Sequence, residues 1–450
     1  MEEILQIQVG QCGNRVGNSF WKTVSDEHGL DKLGRFDGNS ADTQLDRINV
    51  YYEEISSKSY MPRAVLVDTD LTALNAIGGA GRFKQESLVG GSGGTGTNWA
   101  RGYNDVKLAG RVLDAVRFAA ERCDRLQGFQ IVHSLGGGTG SGLGSRIVDA
   151  LRDQYAGRTV NTFSVVPSSS VSASGIEPYN AALSMARLIG GADNTYFADN
   201  RALYASCMTR TVPMAGPAYA DLNHLVVQTM SGVTTGLRFA GELNVDMKKS
   251  TANLVPYPKM HFFVPNFAPL TFRGNPGLCD GITPQTVPEL INQLFTEVGR
   301  GCGQRDRDGK LPAVMAASVT LRGRNLCAVQ KMRTIKQIVA TAAAEHCRCP
   351  AENVKTAAYD VPTHGLDLSG TAVANTTAVA RVFSRVCRRY STMFAKKAFL
   401  HLFTDEGMVD DDFRRARDEI ESLTAEYKAL EVDENPSGTD TDSNNDSVVG

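Results

Sequence analysis

The sequence predicts an α/β protein: a parallel sheet with helices on both faces, then a long core helix, a second α+β domain with a mixed sheet, and C-terminal helices. Three observations carry this prediction. Short apolar runs alternate with helical patterns through the first half of the chain, the mark of strand–helix–strand units. A glycine-rich loop, GGGTGSG at Gly136–Gly142, separates one such run from one such helix. Beyond a long apolar stretch at 218–239 the pattern changes to strands of a different spacing.

The elements follow in order. Ile4–Val9 (ILQIQV) reads as a buried strand, and GQCGNRVGNSFWKTV from Gly10 opens a helix. Ala64–Asp68 (AVLVD) is a second strand. Gly128–Leu135 (GFQIVHSL) is a third, leading through the glycine loop into the helix LGSRIVDALRDQY, and Thr162–Pro167 is a fourth. Ligands of such sheets bind beyond the carboxyl ends of the strands, so the loops at Gly10, Asp68, Gly136 and Pro167 are expected on one edge. Ala218–Phe239 reads as one long, largely apolar helix. MHFFVPNFAPL and PAVMAASVTLRG look like strands of the second domain, with NVKTAAYDVP completing its mixed sheet. From Thr377 the pattern is helical. In 410–431, Phe413, Ile420, Leu423, Tyr427 and Leu430 share one face, and Asp410–Asp412 suit the helix start. The expected units are 1–217, the core helix 218–240, 241–376, the helical region 377–430, and a tail, 431–450. That tail has six acids, no base and few large apolar residues, a composition that predicts disorder.

Composition narrows the class. The 450 residues are 42% hydrophobic and 21% charged with net charge −2, ordinary for a globular protein of about two or three domains. Nothing in that balance suggests a nucleic-acid or membrane-surface partner. The nine cysteines are scattered, and the lone Cys347-x-Cys349 pair is not a zinc pattern. They read as free thiols of a reducing compartment. With no leader pattern and no run long enough to span a bilayer, the expected location is cytoplasmic.

Strand, glycines and helix N-terminus together make an anion cradle. A flexible linker is the alternative, but linkers rarely join a buried strand to an amphipathic helix. The loop is not a P-loop: G-x-x-x-x-G-K-[ST] occurs nowhere, so no motif lysine reaches the phosphates. A literal G-x-G-x-x-G does occur at Gly91, Gly93 and Gly96. It follows QESLV, read as a poor strand, and precedes TNWARG, read as a poor helix, which argues against a dinucleotide fingerprint.

GGGTGSG after a strand resembles the signature of the tubulins and their bacterial cell-division relatives. The resemblance continues through GQCGN (Gly10–Asn14), VSDEHGL (Val24–Leu30), NTFSVVPS (Asn161–Ser168), EPYNA (Glu177–Ala181), DLNHLV (Asp221–Val226), MSGVTT (Met230–Thr235), FAPLT (Phe267–Thr271), TVPEL (Thr286–Leu290), NVKTA (Asn353–Ala357) and KAFLH (Lys397–His401). VSDEHGL and KAFLH are β-like, and CPAENVKTA lacks the longer loop of α-tubulin.

The resemblance implies GTP and Mg2+ as ligands. It places Gly136, Gly137, Gly138, Thr139 and Gly140 on the phosphates with Ser134 beside them, and Gln11 and Cys12 over the β-phosphate. Asp68 and Asp70 would face the magnesium, Thr97 the γ-phosphate and Glu177 the ribose. Asn200 and Asn223 would read the guanine edge, with Tyr219 stacked on the ring. An asparagine pair offers donors and acceptors to guanine, and an aromatic face suits a base. Without the resemblance Asn223 is equally a polar residue on an exposed helix face and Tyr219 a core aromatic.

No catalytic base stands out in cis. In tubulins the next subunit completes the site with a loop that resembles GELNVD, here Gly241, Asn244 and Asp246. An acid of α-tubulin three residues further on corresponds to Lys249, a donor that cannot act as base near neutral pH. The implied activity is therefore a GTPase completed at a subunit interface, weak in the isolated chain, with α-tubulin or another tubulin subunit as partner. A plain solvated role for Lys249 is the alternative. The tail resembles those that recruit motors and associated proteins, and is equally readable as a solubilising tail.

Several positions depart from the β pattern. Asp70 stands for glutamate, Thr97 for asparagine, Ala173 for an aspartate beside the ribose, and Arg201 for glutamate. The 272–285 loop is longer by about four residues, an insertion that loop entropy tolerates. Two readings of the resemblance stay open: a polymer-forming cytoskeletal subunit, and a specialised tubulin that binds GTP but caps, nucleates or serves an accessory array. A dinucleotide-dependent enzyme is disfavoured by the placement of GSGGTG and by the missing downstream ribose acid.

Overall fold

The computed structural model describes residues 2–36, 42–78, 81–168, 172, 174–208, 217–241, 245–271, 286–301, 312–324, 326, 332–347 and 349–433. Its strands are β1 (Glu3–Val9), β2 (Tyr52–Ser56), β3 (Ser59–Pro62), β4 (Ala64–Asp68), β5 (Leu88–Gly90), β6 (Leu126–Ser134), β7 (Thr159–Val166), β8 (Asn194–Asp199), β9 (Phe262–Ala268), β10 (Val314–Gly323), β11 (Val354–Tyr359) and β12 (Leu368–Thr376). The helices are α1 (Gly10–Glu27), α2 (Leu71–Gly78), α3 (Trp99–Tyr103), α4 (Val106–Glu121), α5 (Gly144–Gln154), α6 (Glu177–Gly191), α7 (Asn200–Met208), α8 (Tyr219–Arg238), α9 (Met247–Leu254), α10 (Val287–Gly301), α11 (Met332–Cys347), α12 (Val379–Ala395), α13 (His401–Thr404) and α14 (Asp410–Asp433).

One ten-stranded sheet runs through both halves in the order β11-β10-β12-β9-β8-β7-β6-β1-β4-β5. From β5 to β9 every pairing is parallel. The strands β1, β4 and β7 are buried along their whole length, as expected where helices cover both faces. Leu5, Ile7 and Val9 of β1 join the core under α4, α5 and α6, while Ile4 points to the opposite core under α1 and α8. Gln6 and Gln8 share that second face, and Gln8 Nε2 donates to Gln6 Oε1 at 2.9 Å, which pairs one polar atom of each amide and leaves Gln6 Nε2 and Gln8 Oε1 without a hydrogen-bond partner among the described residues.

The mixed sheet of the second half is not a separate sheet. β9 pairs with β8 at Thr195–Phe262 and Tyr196–Phe263, so the two sheets are joined edge to edge. β12 was not anticipated from the sequence. Its run LSGTAVANT holds mostly small side chains, and at Gly370 a Cβ would come within 2.5 Å of Leu294 Cδ1. The hairpin β2–β3 was also missed.

The core helix α8 is a little shorter than expected. Ala218 N donates to Asp221 Oδ2 at 2.9 Å at its start, and its last turn holds Arg238, fully buried. Around Arg238 lies a buried ionic cluster. Glu27 of α1 accepts from Arg238 Nη1 at 2.7 Å, Arg322 Nη1 at 2.9 Å and Ser231 Oγ at 2.7 Å. Both guanidinium groups lie over the Phe239 ring, at 4.9 and 5.6 Å from its centroid. Burial alone would favour neutral Glu27, but Arg322 and Arg238 outweigh it and bring the carboxyl down to about 2.

At the C-terminus, Phe413, Ile420, Leu423 and Tyr427 of α14 are buried against α12 and α6, with Leu430 packed at the edge. The tail beyond 433 and the 272–285 loop lie outside the described residues.

Candidate functional site

Parallel pairing puts the carboxyl ends of β1, β4, β6 and β7 on one edge, and the loops leaving them meet there. Strand β6 ends at Ser134, whose hydroxyl accepts from Gly136 N at 3.3 Å. The glycine stretch then enters a π-helical turn, Thr139–Leu143, that continues into α5. The first amides of this helical segment lack intrahelical partners.

Packing explains the glycines better than flexibility does. A Cβ on Gly142 would come within 2.0 Å of Trp99 O, on Gly138 within 2.4 Å of Thr95 Oγ1, and on Gly140 within 2.9 Å of Ser134 O. On Gly136 it would meet Pro167 at 2.9 Å and Glu177 Oε1 at 3.3 Å. Only Gly137 faces open space, with nothing within 4 Å. Gly10 at the start of α1 has φ of +75°, and its Cβ would sit 2.9 Å from Gly140 N. The turn that carries Gln11 and Cys12 is therefore pressed against the glycine loop. Gln11 is exposed and Cys12 half-buried, with desolvation pushing the thiol up to about 11, so it stays protonated.

Three further side chains, not singled out from the sequence, hold this arrangement. His133 Nδ1 lies 2.8 Å from Gly140 O and its Nε2 2.8 Å from Ser164 Oγ. A carbonyl only accepts, so Nδ1 carries the proton. Burial lowers the imidazole to about 4, keeping it neutral. Asn180 Nδ2 donates to Thr97 O at 2.6 Å and to Gly136 O at 2.8 Å, while its Oδ1 accepts from Trp99 N at 3.0 Å. It ties the 91–98 loop to the glycine loop. Thr69 and Thr139 hydroxyls are 2.8 Å apart, joining the loop after β4 to the same cradle. Each lies in or beside a quoted motif, but only the fold shows what it touches.

The GSGGTG stretch corrects an expectation. Leu88–Gly90 is a strand, paired with β4, and Trp99–Tyr103 is a helix. Both were too short to register as periodic patterns. The geometry still differs from a close-packed dinucleotide turn, because Gly93, Gly94 and Gly96 have nothing within 4 Å of a Cβ position. The loop instead forms a second wall of the cradle, through Thr95 and Asn98 against Gly138. Thr97 is exposed at its tip, with φ of +61°.

Asp68, at the end of β4, is buried, and its Oδ2 has no hydrogen-bond partner among the described residues. Burial raises its pKa above the usual carboxylate value. Asp70 is exposed beside it, its N–H 3.4 Å from Asp68 Oδ1. An orphaned buried carboxylate oxygen next to an exposed carboxylate suits a hard divalent cation. Glu177 opens α6 and accepts from the Ser172 hydroxyl, and burial raises its pKa. Asn200 opens α7 directly after β8. Tyr219 and Asn223 lie on the first turns of α8, which packs against α7 through Leu222, Leu225, Leu203 and Cys207. Tyr219 is 50% exposed, not a core aromatic, and Asn223 is half-buried.

The Gly241–Lys249 loop is not brought to this edge. It follows the far end of α8, which at 1.5 Å per residue spans about 30 Å. Gly241 packs on the Tyr359 ring, and Asp246 caps α9 by accepting from Lys249 N at 2.6 Å. Lys249 is largely exposed, its Nζ 3.3 Å from Asp246 Oδ2. Asn244 and Ala173 lie outside the described residues.

His224 and His261 have no metal-type neighbours among the described residues; His224 Nε2 is 2.9 Å from Thr271 Oγ1 and His261 Nε2 is 3.2 Å from Leu188 O. No helix among the described residues is long and apolar enough to cross a membrane.

A cradle of amides at the carboxyl edge of a parallel sheet, walled by two glycine loops and flanked by a buried carboxylate oxygen without a partner among the described residues, has the chemistry to receive a phosphate and its cation. Comparison with family models agrees: residues 3–208 match the Tubulin/FtsZ family, GTPase domain, and residues 258–388 match the tubulin C-terminal domain. The chain thus belongs to the Tubulin/FtsZ family of GTP-binding, polymerising cytoskeletal proteins.

Proposed function

We propose that this chain is a β-tubulin-like subunit that assembles head to tail with an α-tubulin-type partner, its GTP hydrolysed when that partner completes the site. The observation that carries the reading is the distance between two parts of one chain. The cradle sits at the start of α8, and the loop that resembles the site-completing segment sits about 30 Å away at its end. A single copy cannot bring them together, whereas stacked copies can.

Surface chemistry supports the same reading. Phe399 and Leu402 are large apolar residues 50% and 37% exposed. Both flank the cradle, Phe399 under Gly175 and Leu402 through its carbonyl, which accepts from Asn98 Nδ2 at 2.6 Å. Exposed apolar groups beside a site mark a contact surface.

In this reading Gly136–Gly140, Ser134, Gln11, Cys12 and Thr97 surround the phosphates. Glu177 holds the ribose, and Asn200, Asn223 and Tyr219 receive the base. Asp68 and Asp70 would hold Mg2+, with phosphate oxygens and water completing its shell; bound there, the ion would neutralise developing phosphate charge. Lys249, a cation, leaves a nucleotide beneath this chain's own loop without an activating acid.

The test is GTP turnover by the isolated chain, by α-tubulin alone and by their mixture, with sedimentation in GTP. The expected result is slow turnover by each alone and rapid turnover in a sedimenting mixture. Rapid turnover by the isolated monomer would overturn the shared-site reading. GTP binding without co-sedimentation would favour an accessory or capping role.

A further inference from the structure

We propose that Thr69 and Thr95 are positioning residues for bound phosphate, an assignment that rests on the placement of the phosphates along Gly136–Gly140 given above. Their hydroxyls donate to Thr139 Oγ1 and leave the single Thr139 proton for a phosphate oxygen. Three segments meet at Thr139. The Thr69 hydroxyl, in the loop after β4, is 2.8 Å from Thr139 Oγ1. The Thr95 hydroxyl, in the loop after β5, is 3.4 Å from the same oxygen and makes the weaker contact. From the third side comes the start of α1, where a Cβ on Gly10 would stand 3.4 Å from Thr139 Cβ. Thr69, Thr95 and Thr139 are 3%, 7% and 9% exposed. Water therefore competes little for their hydroxyls, and Thr139 is the one of the three with most of its surface towards the open edge.

Hydroxyl chemistry sets the direction of these bonds. A threonine hydroxyl has one proton to donate and two lone pairs to accept with. Three hydroxyls thus bring three protons to two contacts, and one proton must point out of the group. No other group among the described residues takes a proton from these three. Were Thr139 to donate to either neighbour, the outgoing proton would sit on a flanking loop. With Thr69 and Thr95 both donating inward, the lone pairs of Thr139 Oγ1 are filled and the outgoing proton sits in the middle of GGGTGSG. A phosphate along that loop only accepts, so it selects the second arrangement. Bonds donated to Thr139 Oγ1 also polarise its own O–H and strengthen the bond it makes. Each side chain is β-branched and has few χ1 rotamers to choose from, so the group is set before a phosphate arrives.

The experiment is a mutant cycle on the full chain, with GTP affinity read by equilibrium dialysis in excess Mg2+. Valine keeps the branched shape and loses the hydroxyl. Thr139→Val is expected to bind GTP about tenfold more weakly, as for one lost hydrogen bond to a charged group. T69V/T95V should bind about threefold more weakly, through loss of the polarising donors, and T69S/T95S, which keeps both hydroxyls, within about 1.5-fold of the native chain. T69V/T95V/T139V should bind no more weakly than T139V, because no proton is left to orient. Native affinity in T69V/T95V would overturn the proposal. So would a triple variant that loses the product of the separate effects, since the two threonines would then act apart from the Thr139 proton. Equal weakening in T69S/T95S and T69V/T95V would overturn it too, assigning the effect to packing. Native affinity in T139V would instead overturn the placement of the phosphates on which the proposal rests. If T69V/T95V does not fold, T69V alone, set against T139V and T69V/T139V, gives the same comparison at about twofold.

Discussion

Glu27 and Arg322 are 295 residues apart in the chain and 2.9 Å apart in space. With Arg238 they place one carboxylate and two guanidinium groups in the interior, joining the helix that leaves the cradle, the core helix and a strand of the second half. Removing one member of a buried ion pair leaves the others uncompensated, a loss of about 3–5 kcal/mol. Glu27→Gln is therefore expected to lower stability by that order in urea denaturation. A loss under 1 kcal/mol would mean that water reaches the cluster.

Acid should destabilise the protein in two stages. Burial lowers His133 and His261 to about 4 and His28 to about 3, from an ordinary 6.5. A lowered histidine binds a proton on unfolding, so its contribution is complete above pH 6.5 and is lost as pH falls towards 4. Glu27, at about 2 against 4.5, is likewise ionised when folded; its contribution is present above 4.5 and fades towards 2. Denaturation midpoints should fall through the first window before most carboxylates titrate. His133→Asn should flatten that slope by one proton.

The glycine loop should separate packing from ligand contact. Gly142→Ala drives a methyl group to within 2.0 Å of Trp99 O and should destabilise by about 1–3 kcal/mol or more. Gly137→Ala meets nothing within 4 Å and should unfold within about 0.5 kcal/mol of the native chain. Its GTP affinity should nevertheless fall roughly tenfold, because the added methyl group holds a phosphate off the loop's amides, a cost of the order of one hydrogen bond to a charged group. Unchanged GTP affinity in Gly137→Ala would move the phosphates elsewhere.

Asn180→Ala removes three hydrogen bonds at once, two of them buried and one part-buried. Thermal denaturation should show a loss of about 2–3 kcal/mol, near 1 kcal/mol per bond. Because the change detaches the 91–98 loop, GTP affinity should drop as well, and Asn180→Asp, which keeps the acceptor for Trp99 N but turns a carboxylate oxygen towards Thr97 O and Gly136 O, should lower it at least as far. Native affinity in Asn180→Ala would assign the loop no part in binding.

Much of this was legible because buried strands and glycine turns leave strong local marks. Four of the parallel strands, β1, β4, β6 and β7, the core helix and the apolar face of α14 follow from periodicity, and the cradle follows from strand, glycines and helix in order, whereas β8 went unread. What escaped was written in small residues or long-range contacts. β12 is central, yet in LSGTAVANT small residues outnumber its two large apolar ones, Leu368 and Val373, so no apolar run announces it. β5 is three residues long. The roles of Asn180 and His133 depend on backbone carbonyls far away in sequence or folded back on a loop, which no pattern encodes. The Tyr219 alternative as a core residue was settled only by its exposure.

The seam between β8 and β9 has a mechanical consequence. Neighbouring strands elsewhere in the large sheet are laced by three to nine residue pairs, but the sheet itself is continued across this seam by two among the described residues, Thr195–Phe262 and Tyr196–Phe263. Load passed from one end of the subunit to the other would concentrate shear at that short weld. Thr195 N bonded to His261 O at 2.9 Å reinforces it from one side, and the Glu27–Arg322 pair braces it from another. A subunit pulled lengthwise in a filament would give way there first, as a plate tears along its shortest line of rivets.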